Sequence, residues 1–240
     1  RVPQAVQQIA DQILNRIPDN RRIKKQWASR PEGGSVDHVT SIEDVPLHQS
    51  DWLILARTND KLIKLKSILK EMAIYFEIKD RKSYKTRLYT AVKHYTRWTK
   101  GDKLSLSECK DLFEYLELDQ ELKEERMYDL QEFGYKTTDE WYEVFKSDPE
   151  ECLYIREMLR NKEELSHPAR VKLSTIHSAK GGEATNVLLI LDNTRKIREA
   201  VDKSEDKHDE EHRVWYVGVT RTKQNLYIMT PKREDRSYDI

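Results

Sequence analysis

The chain has 240 residues, of which 37% are apolar and 36% charged, and its 43 Lys plus Arg balance 43 Asp plus Glu. A net charge of zero argues against a histone-like protein that binds polyanions over its whole surface, and it leaves room for a local basic channel. Two cysteines are too few for a disulfide framework or a cysteine-rich metal site, and no apolar run reaches the roughly 18 residues of a membrane span. We therefore expect a reduced cytoplasmic protein without a membrane partner. Because the chain starts at Arg1 rather than at Met, we also expect an N-terminal part to precede it.

Two predicted elements open the chain. Apolar residues recur every three to four positions over residues 3–17, and Pro3 suits a first helical turn, so this stretch predicts an amphipathic helix. A turn rich in glycine then leads to a strand candidate at residues 35–40.

A β-α-β pattern follows. The short apolar run at 52–56 predicts a buried strand, and the helical period over 62–72 predicts a helix that Asn59 or Asp60 caps. Residues 74–78 predict the next strand. A crossover of this length joins parallel strands, so the pattern indicates a layered α/β sheet.

The pattern changes to helices from about Lys79 onward. The predicted helices cover residues 84–98, 105–118, 122–133, 138–145 and 149–159. Ser107 has Lys110 three residues later instead of the acidic partner of a capping box, so the start of the second helix is loosely defined. Aromatic residues recur at helical spacing here, which fits base stacking or a small bundle core, and the spacing favours the core.

Strand patterns return in the last third of the chain. The predicted strands lie at residues 170–175, 186–191 and 225–229, and a charged stretch at 195–213 reads as helix or loop. We therefore predict an α/β fold, with a parallel sheet layered with helices, formed by residues 1–80 and 168–240. A helical domain at residues 81–167 is inserted between two strands of this sheet.

The stretch Val171–Glu183, VKLSTIHSAKGGE, places polar side chains in a loop between two predicted strands. Thr175, His177, Lys180 and Glu183 surround small residues and a glycine pair, although such a pair beside a lysine is also typical of a plain turn. The loop is not a GxxxxGK[ST] phosphate-binding loop, because Lys180 precedes the glycines and no Ser or Thr follows a Gly-Lys pair.

Several stretches resemble one family. Glu210–Thr222, EEHRVWYVGVTRT, closely resembles motif VI of the UvrD/Rep family of superfamily 1 helicases, and Leu173–Glu183 is similar to motif V of that family. Arg1–Pro3 with the helix behind it resembles motif IV, and Trp52–Asn59 resembles a strand ending in Arg-Ser-Asn. Phe76–Ile78 stands where that family has the strand leading into an inserted helical subdomain.

The resemblance implies the second RecA-like domain of a DNA motor, with a small inserted subdomain of the 2B type at residues 81–167. It implies ATP and Mg²⁺ as cofactors and single-stranded DNA as a partner. The Walker A loop and the Mg²⁺ ligands of such helicases belong to an N-terminal RecA-like domain, and the 240 residues contain no GxxxxGK[ST] sequence. That missing domain is therefore an expected partner.

The resemblance also assigns roles at the nucleotide. Arg221 matches the arginine finger, whose guanidinium stabilises charge on the transferred phosphoryl group, and Arg1 matches a second γ-phosphate sensor. Glu183 matches the carboxylate that accepts a hydrogen bond from the ribose. Gly182 stands where the family often has a bulkier apolar residue, so we expect a more flexible loop here.

Four further positions match DNA contacts. Thr175 and His177 match residues that meet the phosphate backbone of the single strand, and a buried core histidine is the alternative interpretation of His177. Arg57 and Asn59 follow a predicted strand, at the edge where α/β sheets bind ligands. His212 stands where the family commonly has an arginine, which alters the ion pairs expected there.

The mechanism implied is ATP-driven translocation along single-stranded DNA in the 3′ to 5′ direction, in which Arg221 senses the γ-phosphate and closes the cleft between two domains. Two alternatives remain at this stage. One is a non-catalytic nucleic-acid-binding or regulatory module with a helicase fold. The other is the helicase portion of a helicase-nuclease.

Overall fold

The computed structural model of the chain describes residues 2–22, 30, 33–116, 122, 125–179, 181–231 and 237–240. It divides the chain into two compact units, one formed by Arg1–Arg81 with Pro168–Ile240 and the other by Lys82–His167. The first unit holds the sheet, and the second is mainly helical.

Most helices and strands lie where the periodicities predict them. The α-helices are α1 (Gln4–Asn15), α2 (Asn59–Glu71), α3 (Thr86–Thr99), α4 (Leu106–Leu116), α5 (Trp141–Val144), α6 (Pro149–Arg160), α7 (Arg195–Lys203) and α8 (Glu205–Val219). The strands are β1 (Ser35–Val39), β2 (Trp52–Ala56), β3 (Phe76–Ile78), β4 (Arg81–Lys82), β5 (Val171–Thr175), β6 (Ala184–Ile190) and β7 (Thr222–Met229).

The sheet has the order β1-β7-β6-β2-β5-β3-β4. The pairs from β1 through to β3 are all parallel. The predicted α/β class is therefore confirmed, and it is consistent with a RecA-like domain.

Side-chain alternation in β2 explains why this strand is apolar throughout. Leu53 and Leu55 face a core with residues of α1 and α8, whereas Trp52, Ile54 and Ala56 face a second core with residues of α2. Helices thus cover both faces, and a strand buried on both faces cannot alternate with polar residues.

Gly218 lets α8 pack closely on the sheet. A Cβ atom added there would lie 3.0 Å from Leu189 Cδ1 on β6 and 3.4 Å from Ile176 Cδ1. Trp215, on the same helix, is fully buried in that core.

We expect Gly218→Val to destabilise the first unit by about 1–3 kcal/mol, because the branched side chain overpacks a filled interface. Gly218→Ala adds a single carbon that meets only the ends of flexible side chains, and we expect it to stay within about 1 kcal/mol of the parent chain. Urea unfolding of both variants measures the difference. Equal stabilities for Val and Ala would show that α8 has room at this position.

Two local predictions were wrong. The N-cap of α2 is Thr58, without a side-chain capping bond, so Asn59 and Asp60 lie inside the helix rather than capping it. In the described part of 122–133 the only helical turn is a 3₁₀ helix at Leu130–Phe133, and Tyr128 instead pairs its backbone with Leu104 in an antiparallel bridge. The stretch 195–213, predicted as helix or loop, is mainly helical and is divided between α7 and α8.

The cap of α4 was assigned to the wrong serine. The backbone N–H of Ser105 donates to Glu108 Oε2 at 2.8 Å, and the N–H of Glu108 donates back to Ser105 Oγ at 3.4 Å. This reciprocal pair is a capping box, so the acidic partner thought missing at Ser107 belongs to the residue two positions earlier.

Buried aromatic residues form much of the core of the second unit, as their spacing favours. Tyr95 packs against Trp98 and Phe145 with ring centroids 5.3 and 5.4 Å apart, and Tyr115 stacks on Phe145 at 5.7 Å. All four rings are buried. They are therefore not a surface on which bases stack.

Within the residues that the structure describes, no helix has both the length and the apolar character that crossing a membrane requires.

Candidate functional site

The loop between β5 and β6 runs from the carboxyl ends of the strands back to their amino ends. Thr175 and Ile190 both lie opposite Ala56 of β2, so the end of β5 is level with the end of β6. The seven residues of β6 span about 23 Å at about 3.3 Å each. Thr175 and Glu183, at opposite ends of the loop, are therefore held near opposite ends of the strands.

An open cavity of about 310 Å³ lies between the start of this loop and one face of α8. Its lining residues are Ile176, His177, Glu210, Arg213, Val214, Val217 and Arg221. The five from Glu210 onward stand at positions i, i+3, i+4, i+7 and i+11, the spacing of a single helix face. His177 and Arg221, predicted from separate motifs, thus line one cavity.

Arg221 stands in the turn between α8 and β7. Its backbone N–H donates to Gly218 O at 3.3 Å, and its carbonyl accepts from the N–H of Ala184 at 3.2 Å. The side chain donates from Nε to Val217 O at 3.1 Å. Among the described residues its two terminal nitrogens have no partner, so this end of the guanidinium is available for bidentate bonds to an anion.

Arg57 is committed to α8. Its Nε lies 3.0 Å from both carboxylate oxygens of Glu211, and its Nη2 lies 2.9 Å from Oε2. Trp215 Nε1 donates to the same carboxylate at 2.7 Å. With side chains only 16% and 6% exposed, Arg57 and Glu211 join the carboxyl end of β2 to the middle of α8.

Arg57, paired with Glu211, also contacts His177, a residue predicted to bind DNA. Arg57 Nη1 lies 3.4 Å from Nδ1 of His177, which is exposed. The alternative interpretation of His177 as a buried core residue is therefore wrong. Its ring is held next to a guanidinium and faces solvent.

Thr175 shapes the turn that presents His177. Its hydroxyl donates to Ser178 Oγ at 3.0 Å and accepts from the N–H of Ser178 at 3.2 Å, and the residue is 8% exposed. In this arrangement Thr175 is a turn-forming residue under the surface, and His177 is the exposed member of the predicted DNA pair.

Asn59, Gly182 and Glu183 do not line the cavity. Asn59 is exposed at the first residue of α2. Gly182 is exposed and Glu183 half-buried at the far end of the loop, where Gly181 has φ 89°. Arg1 lies outside the described residues, as does Lys180.

The sequence interpretation missed three residues of α8 at the site. Glu210 and Arg213 line the cavity, and Glu211 holds Arg57. The bond from Lys207, together with the positive charge of that residue, lowers the pKa of Glu210, so its carboxylate is an anion near neutral pH. The helical spacing of the acidic pair and Arg213 was visible in the sequence, but the direction of that face was not.

Comparison with protein families gives one match. The model described as the UvrD-like helicase C-terminal domain covers residues 77–233. This range is more than half of the chain, and it includes β5, the loop, α8 and Arg221. A comparison with curated proteins gives no match.

Proposed function

This chain belongs to the family of UvrD-like helicase C-terminal domains, and we propose that it is the second RecA-like domain of an ATP-dependent 3′–5′ DNA helicase or translocase. Residues 1–80 and 168–240 form this domain, and residues 81–167 are an inserted subdomain of the 2B type. Mg²⁺ and ATP bind where it meets another RecA-like domain that carries the Walker A loop. Single-stranded DNA is the other ligand.

The observation that carries this proposal is the common cavity of His177 and Arg221. In the proposed role, Arg221 directs its two unpartnered nitrogens at the γ-phosphate as an arginine finger. Such a finger acts only when a neighbouring domain brings the phosphate to it, so hydrolysis depends on closure of the two domains. Arg1 is proposed as a second contact to the γ-phosphate.

The loop after β5 is proposed to connect nucleotide and DNA. Glu183 accepts from the ribose, with Gly182 allowing the backbone close to it, while His177 contacts the DNA backbone at the other end. The hydroxyl of Thr175 is bonded to Ser178 within the turn. Thr175 is therefore proposed to contact DNA only when this turn opens. Asn59 is proposed as a further DNA contact.

Arg57 is proposed to act on DNA mainly by holding His177. Its guanidinium is bound by Glu211 and lies 3.4 Å from the imidazole. Movement of α8, which Arg221 follows directly, is in this way passed to the DNA side. Each ATP cycle then becomes one step along the strand.

The helicase that contains this chain tests the proposal on its DNA side. We expect His177→Ala to weaken binding of single-stranded DNA at least about 10-fold, since one hydrogen bond to a charged phosphate contributes about 1.5–3 kcal/mol. Fluorescence anisotropy with a labelled oligonucleotide measures the affinity at several salt concentrations. A smaller salt dependence is expected in the variant if the lost contact is ionic.

His38→Ala is the matched control. His38 is an exposed histidine on the edge strand β1, and three strands separate β1 from β5, after which His177 lies. Its DNA affinity should equal that of the parent protein. An unchanged affinity of the His177 variant would remove this residue from the DNA path.

A further inference from the structure

Two histidines of α8 bring their ring nitrogens together outside the cavity described above. Nε2 of His208 lies 3.2 Å from Nε2 of His212, one helical turn later. The rings are perpendicular, with centroids 4.3 Å apart. Neither nitrogen is used by the proposed helicase mechanism.

Each ring has a polar group next to its other nitrogen, within hydrogen-bond distance at His212 only. Nδ1 of His212 lies 2.5 Å from the hydroxyl of Tyr238, and that phenol stacks on Trp215 with ring centroids 4.8 Å apart. Nδ1 of His208 lies 3.6 Å from a carboxylate oxygen of Asp209. The carboxylate of Asp209 is itself held by Arg21 Nε at 2.8 Å. Metal-bound histidines usually have their second nitrogen fixed in this way by a carboxylate or another polar group.

The spacing of the two Nε2 atoms fits one metal ion. Zinc–nitrogen bonds of about 2.0–2.1 Å at a tetrahedral angle place two ligand nitrogens about 3.3 Å apart. We propose that His208 and His212 chelate one late first-row divalent metal ion, of which Zn²⁺ and Ni²⁺ are examples, through these atoms. In the described part of the chain no group of three or more His, Cys, Asp and Glu could hold a metal. We therefore assign only these two imidazoles as protein ligands and expect solvent water to complete the coordination.

The site is open to solvent on one side. The side chain of His208 is 45% exposed, whereas His212 is buried, so an ion reaches the pair from the side of His208.

A hydrogen bond between two neutral imidazoles is the other interaction that places two such nitrogens 3.2 Å apart, and metal titration separates the two. The chelate predicts one saturable site per chain for Zn²⁺ and for Ni²⁺ in isothermal titration calorimetry of untagged, metal-free chain. His208→Ala is expected to lower the affinity at least tenfold. Because His208 is half exposed, this variant should keep the parent circular dichroism spectrum.

Two further variants sharpen the result. Tyr238→Phe removes the hydroxyl at His212 but neither ligand, and loss of such an outer partner is expected to weaken the metal about 10-fold. His38→Ala removes an isolated exposed histidine and should bind as the parent does. Zn²⁺ should also raise the melting temperature of the parent but not of His208→Ala.

The absence of a saturable site in the parent, or full affinity in His208→Ala, would overturn the chelate in favour of the hydrogen bond. The readouts use neither ATP nor DNA. They are therefore independent of the proposed motor function.

Discussion

Replacing Arg221 with Ala in the proposed helicase that contains this chain is expected to lower its DNA-stimulated ATPase rate by about 10³-fold or more, because an arginine finger, the role proposed for Arg221, contributes about 10³–10⁵ to such rates. Arg221 lies just beyond the C-terminal end of α8. Among the described residues, neither of its terminal nitrogens has a partner. Since Nε is the only side-chain nitrogen of Arg221 that bonds to the described residues, at 3.1 Å to Val217 O, the loss should fall on kcat rather than on folding. Steady-state ATP hydrolysis with saturating single-stranded DNA measures it.

The controls for this prediction keep fold and charge in view. Arg221→Lys retains the positive charge without the fork and should remain severely impaired, since Lys does not replace a bidentate guanidinium. Arg195→Ala removes an arginine whose side chain is 89% exposed and paired with Glu199, and its turnover should match the parent. Normal turnover of Arg221→Ala would instead favour a non-catalytic nucleic-acid-binding module.

The second large effect is expected in stability. Glu211→Ala should destabilise the chain by about 3–5 kcal/mol, because it leaves the nearly buried guanidinium of Arg57 without its counter-ion. The same change removes the acceptor of Trp215 Nε1, which is buried. Urea unfolding followed by tryptophan fluorescence and by circular dichroism measures the loss.

Neighbouring Glu210 provides the matched control. Its ion pair with Lys207 has side chains 56% and 58% exposed, and Glu210→Ala should change stability by no more than about 0.5 kcal/mol. The double variant Arg57→Ala, Glu211→Ala should lose less than the sum of the single variants, since the two groups are directly coupled. A loss below about 1 kcal/mol for Glu211→Ala would show that water replaces the carboxylate.

Local patterns allowed much of the fold to be predicted. The period of three to four gave α1 with nearly correct ends, and the apolar run gave β2 at its observed bounds. Both signals arise within single elements, whose buried faces repeat along the sequence. The capping box at Ser105 and Glu108 was equally local, so its misassignment to Ser107 was an error of reading rather than a limit of the sequence.

Residue identities in two motifs were also sufficient to indicate the family. The stretches around Thr175 and Arg221 kept enough of two motifs to indicate a UvrD-like helicase, and the family match agrees. A motif gives the type of side chain and its order in the chain. It does not give the direction in which that side chain points or the group that binds it.

Partner choice among charged residues was decided by the tertiary structure. Arg57 is 154 positions from Glu211, and it looked like an open DNA ligand until α8 placed a buried carboxylate against it. Desolvation makes an unpaired buried charge costly, so the nearest opposite charge takes the guanidinium. Nothing near either residue in the sequence indicates that pairing.

The sequence by itself thus determined the α/β class, the helical insertion and the residue types of the candidate site. Only the tertiary structure decided that His177 and Arg221 line one cavity, that Thr175 lies beneath the surface and that His208 and His212 face each other's Nε2. For the cavity, the reason lies in the parallel strands: the chain leaving β5 has to return to the amino end of β6, with β2 between them, and the first residues of this loop then line a cavity with α8, from which they are distant in the chain. His208 and His212 are only one helical turn apart, and what the sequence left open there is the direction of their rings.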